Sequence, residues 1–473
     1  MSEDLIKEFT ELLGKSVEIT PTKVRVTNPS VFKSKVHLLA EASALEKGAK
    51  QATARYIVRA AAADLGIYPA SINDLYMGRS KGIVPLNFTT PAMNLRVLAF
   101  DCAKAVFRTA VKMDSAAMIF EIARSEMGYT DQKPAEYTTS ILAAAIAEGY
   151  KGPVFIQGDH FQASAKKYAA DPKTEVDALK ALIREALAAG FYNIDIDTST
   201  LVDISKPTIP EQQALNVKLS AEFTAYIRSQ QPKGVTVSVG GEIGEVGGHN
   251  STEPELRGYL DGYNAELAKL SKDATGLSKI SIQTGTSHGG VVLPDGSIAK
   301  VNVDFNILKE LSRVARSDYG LGGTVQHGAS TLPEDAFGKF VEYEACEVHL
   351  ATNFANMFFD LIPDSLRDEM YAYLREHHSA DRKPDMTEEQ FYYKVRKNAI
   401  GPFKAKSWKM PQADRDKIVK AWEAKFDMLF HKMEIGGTHA IVEKVVKAPV
   451  IVPPLKDFLG EGGAVGDVKD LSD

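Results

Sequence analysis

The sequence predicts an α/β protein, a (β/α)8 TIM barrel with helical extensions at both ends, from three observations. Short runs rich in β-branched residues alternate with helical periodicity from about residue 83 to about residue 355. Each run is followed by a helix-like segment, the pattern of parallel βαβ units with helical crossovers. The runs number eight, the count that closes a barrel, although the same alternation is compatible with a doubly wound open sheet.

Taken in order, residues 1–80 form an N-terminal helical extension that includes Val36–Leu65. The barrel is expected over residues 81–358, with strands at Ile83–Phe88, Met118–Ala123, Val154–Asp159, Asn193–Asp197, Val235–Glu242, Lys279–Gly285, Gly323–Gln326 and Cys346–Ala351. Between them lie helical segments such as Asp177–Ala189, Pro210–Ser229, Phe305–Ala315 and Pro333–Glu344, several opened by Asp, Thr or Pro as helix N-termini prefer. Residues 359–473 form a C-terminal helical extension with amphipathic segments at Ser365–His378, Glu388–Lys397 and Gln412–Met433. It ends in a Gly- and Asp-rich tail, Gly460–Asp473, expected to be mobile. Amphipathic helices beyond a complete barrel must bury their apolar faces against it or against another subunit, so a homodimer or homotetramer is expected.

Composition narrows the function. In a chain of 473 residues, 44% hydrophobic content is ample for a sizeable core. Charged residues make up 25% and the formal net charge is −6, a balance that recommends neither nucleic acid nor an anionic membrane as partner. Any anionic ligand therefore needs a local site. Met1–Lys15 lacks the order of a secretory signal, and no apolar run approaches the roughly 18 residues of a membrane span. The only cysteines, Cys102 and Cys346, exclude a disulfide framework and a cysteine-based zinc site and fit a reducing compartment, so the cytoplasm is expected.

The chemistry gathers at strand ends. His160 closes the run Val154-Phe-Ile-Gln-Gly-Asp-His, His288 follows Ser281-Ile-Gln-Thr-Gly-Thr-Ser, and His327 follows Thr324-Val-Gln. The C-terminal ends of all barrel strands converge on one mouth, so residues from strands three, six and seven meet despite their separation in sequence. Three neutral imidazoles converging there make an open Zn2+ site, with another divalent ion as the alternative. A single strand-end histidine is more often a hydrogen-bonding residue; three together, two of them followed by glycine, point to metal. Gly289, Gly290 and Gly328 let backbone N–H groups approach a ligand closely, as phosphate recognition requires, or else simply make tight turns. Ser330 adds a hydroxyl, and Thr331-Leu-Pro-Glu-Asp reads as a helix start that favours an anion. The segment Gly240-Gly-Glu-Ile-Gly ends strand five and aims Glu242 at the same mouth; its spacing is wrong for a dinucleotide loop.

At these residues the sequence resembles the class II fructose-bisphosphate and tagatose-bisphosphate aldolases, over about residues 83–356. The matching positions are Asp159-His160, Glu242-Ile-Gly244, His288-Gly289, His327-Gly-Ala-Ser330 and Val348-His-Leu-Ala-Thr352. The resemblance implies zinc on His160, His288 and His327, with Glu242 near an alternative metal position. It implies substrate and phosphate contacts from Gly289, Gly328, Ser330, His349 and Thr352, and it makes Asp159 the group that handles the proton on the aldehyde-derived oxygen. A sugar bisphosphate is then the substrate.

Departures from the family pattern fall on the substrate rim. Asn250 stands where a loop glutamate exchanges the proton at C3 of dihydroxyacetone phosphate, and an amide cannot do so at neutral pH. Glu253 is the first candidate to replace it, ahead of Glu255 and His249, although either glutamate could merely begin the next helix. His349 stands where the family usually has Asn, Glu347 where it commonly has Lys, and Val292 where a lysine often follows the strand-six histidine. Three other readings stay open: a metal-dependent sugar or sugar-phosphate epimerase, an imine-forming aldolase using Lys279, and a non-catalytic barrel supporting a partner enzyme.

Overall fold

The computed structural model describes residues 2–244, 249–285, 293 and 303–460. Eight strands form a closed parallel barrel: Thr90–Asn94, Ile119–Ala123, Gly152–Gln162, Asn193–Asp197, Ser238–Glu242, Lys279–Ser281, Thr324–Gln326 and Glu347–Leu350. Each pairs with the next in the chain and the eighth closes on the first, Glu347 opposite Thr90. The open-sheet alternative is thereby set aside. The connecting helices begin as their sequences require. Asp171 accepts from the backbone N–H of Lys173 and Thr174 to start Pro172–Ala189, and Asp304 does the same for Phe305–Tyr319.

The first strand differs from expectation. Ile83–Phe88 lies in turn and irregular structure, and the strand is Thr90–Asn94 instead. Pro85 interrupts the β-branched run, whereas Pro91 and the lack of alternation disguise the true strand. A ninth strand, Ile67–Ala70, pairs with the start of the third, below the edge that Asn193–Asp197 occupies further along. Asn193 joins the two, donating from Nδ2 to the Ala70 carbonyl and accepting at Oδ1 from the Ile72 N–H.

The barrel interior is polar where branched apolar side chains usually fill it. Glu121, Gln157, Asp195, Lys279 and Glu347, from strands two, three, four, six and eight, are all buried. Lys279 bonds Gln157 and Glu347 across the lumen, which only inward-facing side chains can do. Alternation sends their neighbours outward into the apolar shell, as where Phe120 stacks on Phe107 of helix Ala99–Met113. Gly240 makes room for this interior: a Cβ there would lie 2.3 Å from Asp195 Oδ1. The glycine pair at 240–241 thus serves packing.

The C-terminal helices fold back onto the same barrel. Helix Gln412–Lys432 buries Ile418, Val419, Trp422, Phe426, Leu429 and Phe430, and Trp422 Nε1 donates to the Phe354 carbonyl at 3.0 Å. Its apolar face is covered within the chain. No helix among the described residues is long and apolar enough to cross a membrane.

Candidate active site

Consecutive side chains on a regular strand face opposite ways, yet Asp159 and His160 both line one cavity of about 560 Å3 at the barrel mouth. An irregularity makes this possible. The register of strand three against strand four shifts between Gly158 and Phe161, and His160 takes a positive φ of 40°. Such a conformation is costly for a non-glycine residue, about 1–3 kcal/mol, and is kept where function uses it. The bulge turns His160 toward strands four and five, its Nδ1 lying 3.0 Å from Asp197 Oδ2 and 3.4 Å from Glu242 Oε2.

His327 arrives from strand seven, its ring centroid 4.4 Å from that of His160. His160, Glu242 and His327 can each present one ligand atom within 4.8 Å of the others. Two imidazoles and a carboxylate suit a divalent ion such as zinc. The electrostatics fit as well. Burial alone would depress the His160 imidazole, but the carboxylates of Asp159 and Glu242 and the hydrogen bond to Asp197 lift it well above its usual value. Surroundings that favour positive charge there also favour a cation. A second group, Asp159, His327 and His349, meets the same distance condition and shares His327.

Asp159 is held on both oxygens. Asn94 Nδ2 donates to Oδ2 at 2.8 Å, and His349 Nδ1 lies 3.1 Å from Oδ1. Burial would raise this carboxyl, but His160 and His349 hold it well below the usual range. Gly328, at φ +70°, Ser330 and Thr352 line the same cavity, Thr352 opening helix Thr352–Leu361. Ser330 Oγ accepts from the Ala351 N–H at 2.6 Å, which fixes the serine at the helix start. Backbone N–H groups there favour an anion.

The cavity also has a roof that the sequence reading did not find. Helix Glu388–Val395 and the turn Arg396–Ala399 bring Gln390, Tyr393, Lys394, Arg396 and Lys397 over the mouth. Opposing them on the rim is Arg96, whose Nε donates to Glu126 Oε1. Burial and the nearby Arg96 cation lower Lys397 to about 8. Glu126 is fully engaged, also accepting from Asn94 and from the Ala123 N–H at 2.9 Å each. Asn94 and Arg96 carry no signal in the sequence, because the first strand is predicted at Ile83–Phe88 and lies instead at Thr90–Asn94. The roof residues carry only a weak signal, a basic cluster on a helix remote in sequence.

Other expected residues lie elsewhere. His288, Gly289, Gly290 and Val292 fall outside the described residues, as do Gly247, Gly248 and the tail beyond Gly460. Glu253 opens helix Glu253–Leu270, where Arg257 Nε donates to it at 2.8 Å, and it does not line the cavity. Glu255 caps that helix, accepting from the N–H and hydroxyl of Thr252 at 2.8 Å each. His249 is exposed and lies 3.6 Å from Glu255. Lys279 is buried between Asp195 and Glu347; despite burial, those carboxylates raise its pKa, leaving an ammonium unsuited to imine formation.

A family model described as fructose-bisphosphate aldolase class-II matches residues 86–427. A fructose-bisphosphate aldolase of Giardia intestinalis is 23% identical over 233 residues, 49% of this chain and 58% of that protein. The chain therefore spans little more than half the length of the curated relative it matches. A crystal structure described as a probable tagatose 6 phosphate kinase from Sinorhizobium meliloti aligns with a TM-score of 0.50 at 15% identity, covering 78% of this chain and 96% of that one, a likeness of fold. A putative fructose-1,6-biphosphate aldolase from Coccidioides immitis aligns at a TM-score of 0.44 and 16% identity, over 77% of this chain and 96% of that one. On the family match, which takes in the whole barrel and most of the roof-bearing extension, the chain belongs to the class II fructose-bisphosphate aldolase family.

Proposed function

We propose that the chain is a lyase that reversibly cleaves a ketose bisphosphate, with fructose 1,6-bisphosphate the first candidate, into dihydroxyacetone phosphate and an aldehyde phosphate. The observation that carries this reading is the meeting of Asp159, His160 and His327 in one cavity, with Glu242 beside His160. Zinc is the metal that the donor set suits best, on His160, His327 and Glu242, with His288 as the remaining family ligand. When bound, the ion supplies Lewis-acid stabilisation of the negative charge that retro-aldol cleavage leaves on the three-carbon fragment.

The chain's own residues move the C4-hydroxyl proton and hold the two anionic ends. Asp159, oriented by Asn94 and His349, takes the proton from the C4 hydroxyl in cleavage and returns it in condensation. Gly328, Ser330 and Thr352 receive one phosphate at a helix start. Arg96, Arg396 and Lys397 line the same cavity and offer positive charge to a second anionic end, which favours a bisphosphate over a monophosphate. The roof limits water at the reacting carbons. Triose phosphate release from fructose, tagatose and sedoheptulose bisphosphates, followed before and after chelation, tests the proposal; turnover that chelation leaves intact would overturn the metal-dependent reading.

A further inference from the structure

Beneath Asp159 a column of buried polar side chains runs down the barrel axis, drawn from strands three, six and eight and from a helix below them. His349, on strand eight, is 4% exposed and stands among four carboxylates, with Glu121 Oε1 3.2 Å from its Nδ1 and Asp195 Oδ2 3.6 Å from its Nε2. Its Nδ1 lies 3.1 Å from Asp159 Oδ1 and its Nε2 lies 2.6 Å from Glu347 Oε1. Glu347 is in turn gripped from below. Lys279 of strand six and the hydroxyl of Tyr76, from helix Asn73–Ser80 at the barrel floor, both donate to it, and Gln157 Nε2 donates at 3.1 Å. An imidazole whose two nitrogens are each engaged has no freedom to flip or swing. The His327 ring, with its centroid 4.0 Å from that of His349, closes one side.

From this arrangement we infer that His349 is a positioning residue for Asp159, and that Glu347, anchored by Lys279 and Tyr76, sets the orientation of His349. The inference rests on the reading of Asp159 as the carrier of the C4-hydroxyl proton. A carboxylate free to rotate at the cavity wall presents a lone pair to that hydroxyl only part of the time. Asn94 on Oδ2 and His349 on Oδ1 fix its plane, and alignment of this kind is worth orders of magnitude in rate. Asn94 alone leaves one oxygen unrestrained. The Glu347–Lys279 pairing extends the restraint to the floor and gives a purpose to charges that would otherwise burden a barrel core.

The two half-reactions separate this role from others. Cleavage of the bisphosphate needs Asp159, whereas exchange of the C3 proton of dihydroxyacetone phosphate with solvent does not break the C3–C4 bond. His349→Leu lowers kcat for cleavage about 100-fold, a loss at least about tenfold greater than any change in KM or in C3 exchange. His349→Asn, which keeps an amide donor toward Asp159 but cannot bridge to Glu347, recovers part of the loss. Glu347→Gln, which keeps an acceptor for Nε2, loses less than about tenfold. Loss of C3 exchange in His349→Leu would make the histidine the exchange base and overturn the inference, as would a loss expressed in KM alone. Crystal structures of wild type and His349→Leu give a readout that does not depend on turnover. Asp159 keeps its contact with Asn94 in the first and rotates away in the second; an unmoved Asp159 contradicts the inference. Absence of cleavage by wild type would count against the aldolase reading, while the crystallographic comparison still decides the column.

Discussion

Lys279 and Lys397 show how differently one residue type behaves in two settings of the same barrel. Lys279 sits at the entering end of strand six with Asp195 at 2.9 Å and Glu347 in direct contact, all three buried. Removing one partner of such a pair leaves an uncompensated buried charge, so Lys279→Met lowers unfolding free energy by about 3–5 kcal/mol in denaturant titration. Borohydride added with substrate is expected to trap no adduct on Lys279, as peptide mapping would show. Lys397 instead hangs in the roof over the Tyr129 ring at 5.3 Å, facing Arg96 and Glu126, and its pKa falls from the usual lysine value to about 8. Below that pH it is charged and, on the proposed function, holds an anionic end; above it the charge is lost. KM for a bisphosphate therefore rises between pH 7 and 9, and Lys397→Met abolishes that dependence. The stability sign is opposite. A folded pKa below the unfolded one means the charged lysine opposes folding most below pH 8, and stability recovers as pH rises from there. A Lys397→Met variant that retains the steep KM profile would remove this residue from the site. Neither setting was legible from the lysines themselves, because each depends on partners in other elements. Asp159 and His327 are legible from strand-end position, which brings them to the mouth, whereas His160 joins them through the bulge after Gly158.

At the scale of elements, the C-terminal extension shows both what a pattern can say and what it cannot. The amphipathic reading of Glu388–Lys397 and Gln412–Met433 found the helices, which span Glu388–Val395 and Gln412–Lys432. It could not say what their faces cover, because burial against the same chain and against a neighbour leave the same periodicity. The long helix covers helix Ala99–Met113 and the strand-eight helix, with Phe426 and Phe354 rings 4.8 Å apart. Trp422→Ala removes the largest fully buried side chain and lowers stability by about 3–5 kcal/mol, seen as a drop in Tm. The short helix forms the roof instead. Its capping box, Thr387 accepting from the Gln390 N–H at 3.3 Å, fixes the start of the helix whose other end runs into the turn carrying Arg396 and Lys397. Thr387→Ala costs about 1 kcal/mol locally and raises KM more than it lowers kcat; a fall confined to kcat would separate the roof from substrate binding.

For the whole molecule, eight alternating units point to the barrel without separating it from an open sheet, and closure is decided by the pairing of Glu347–Leu350 with Thr90–Asn94. Pro91 hides the first strand from the sequence pattern, and the ninth, Ile67–Ala70, lies in an extension whose pattern is helical. Both differences arise where tertiary pairing outweighs local preference. The site as a whole depends on closure, since Asp159, Glu242, His327 and His349 come from four strands that only a complete ring brings to one mouth. The most direct measurement of the central claim is triose phosphate release from fructose 1,6-bisphosphate by the metal-loaded chain, the chelated chain and the chelated chain resupplied with zinc, with metal content recorded alongside. The account predicts release that disappears with the metal, returns with it, and falls by roughly 100-fold or more in Asp159→Asn at unchanged metal content. Release unaffected by chelation, or undiminished in Asp159→Asn, would contradict it.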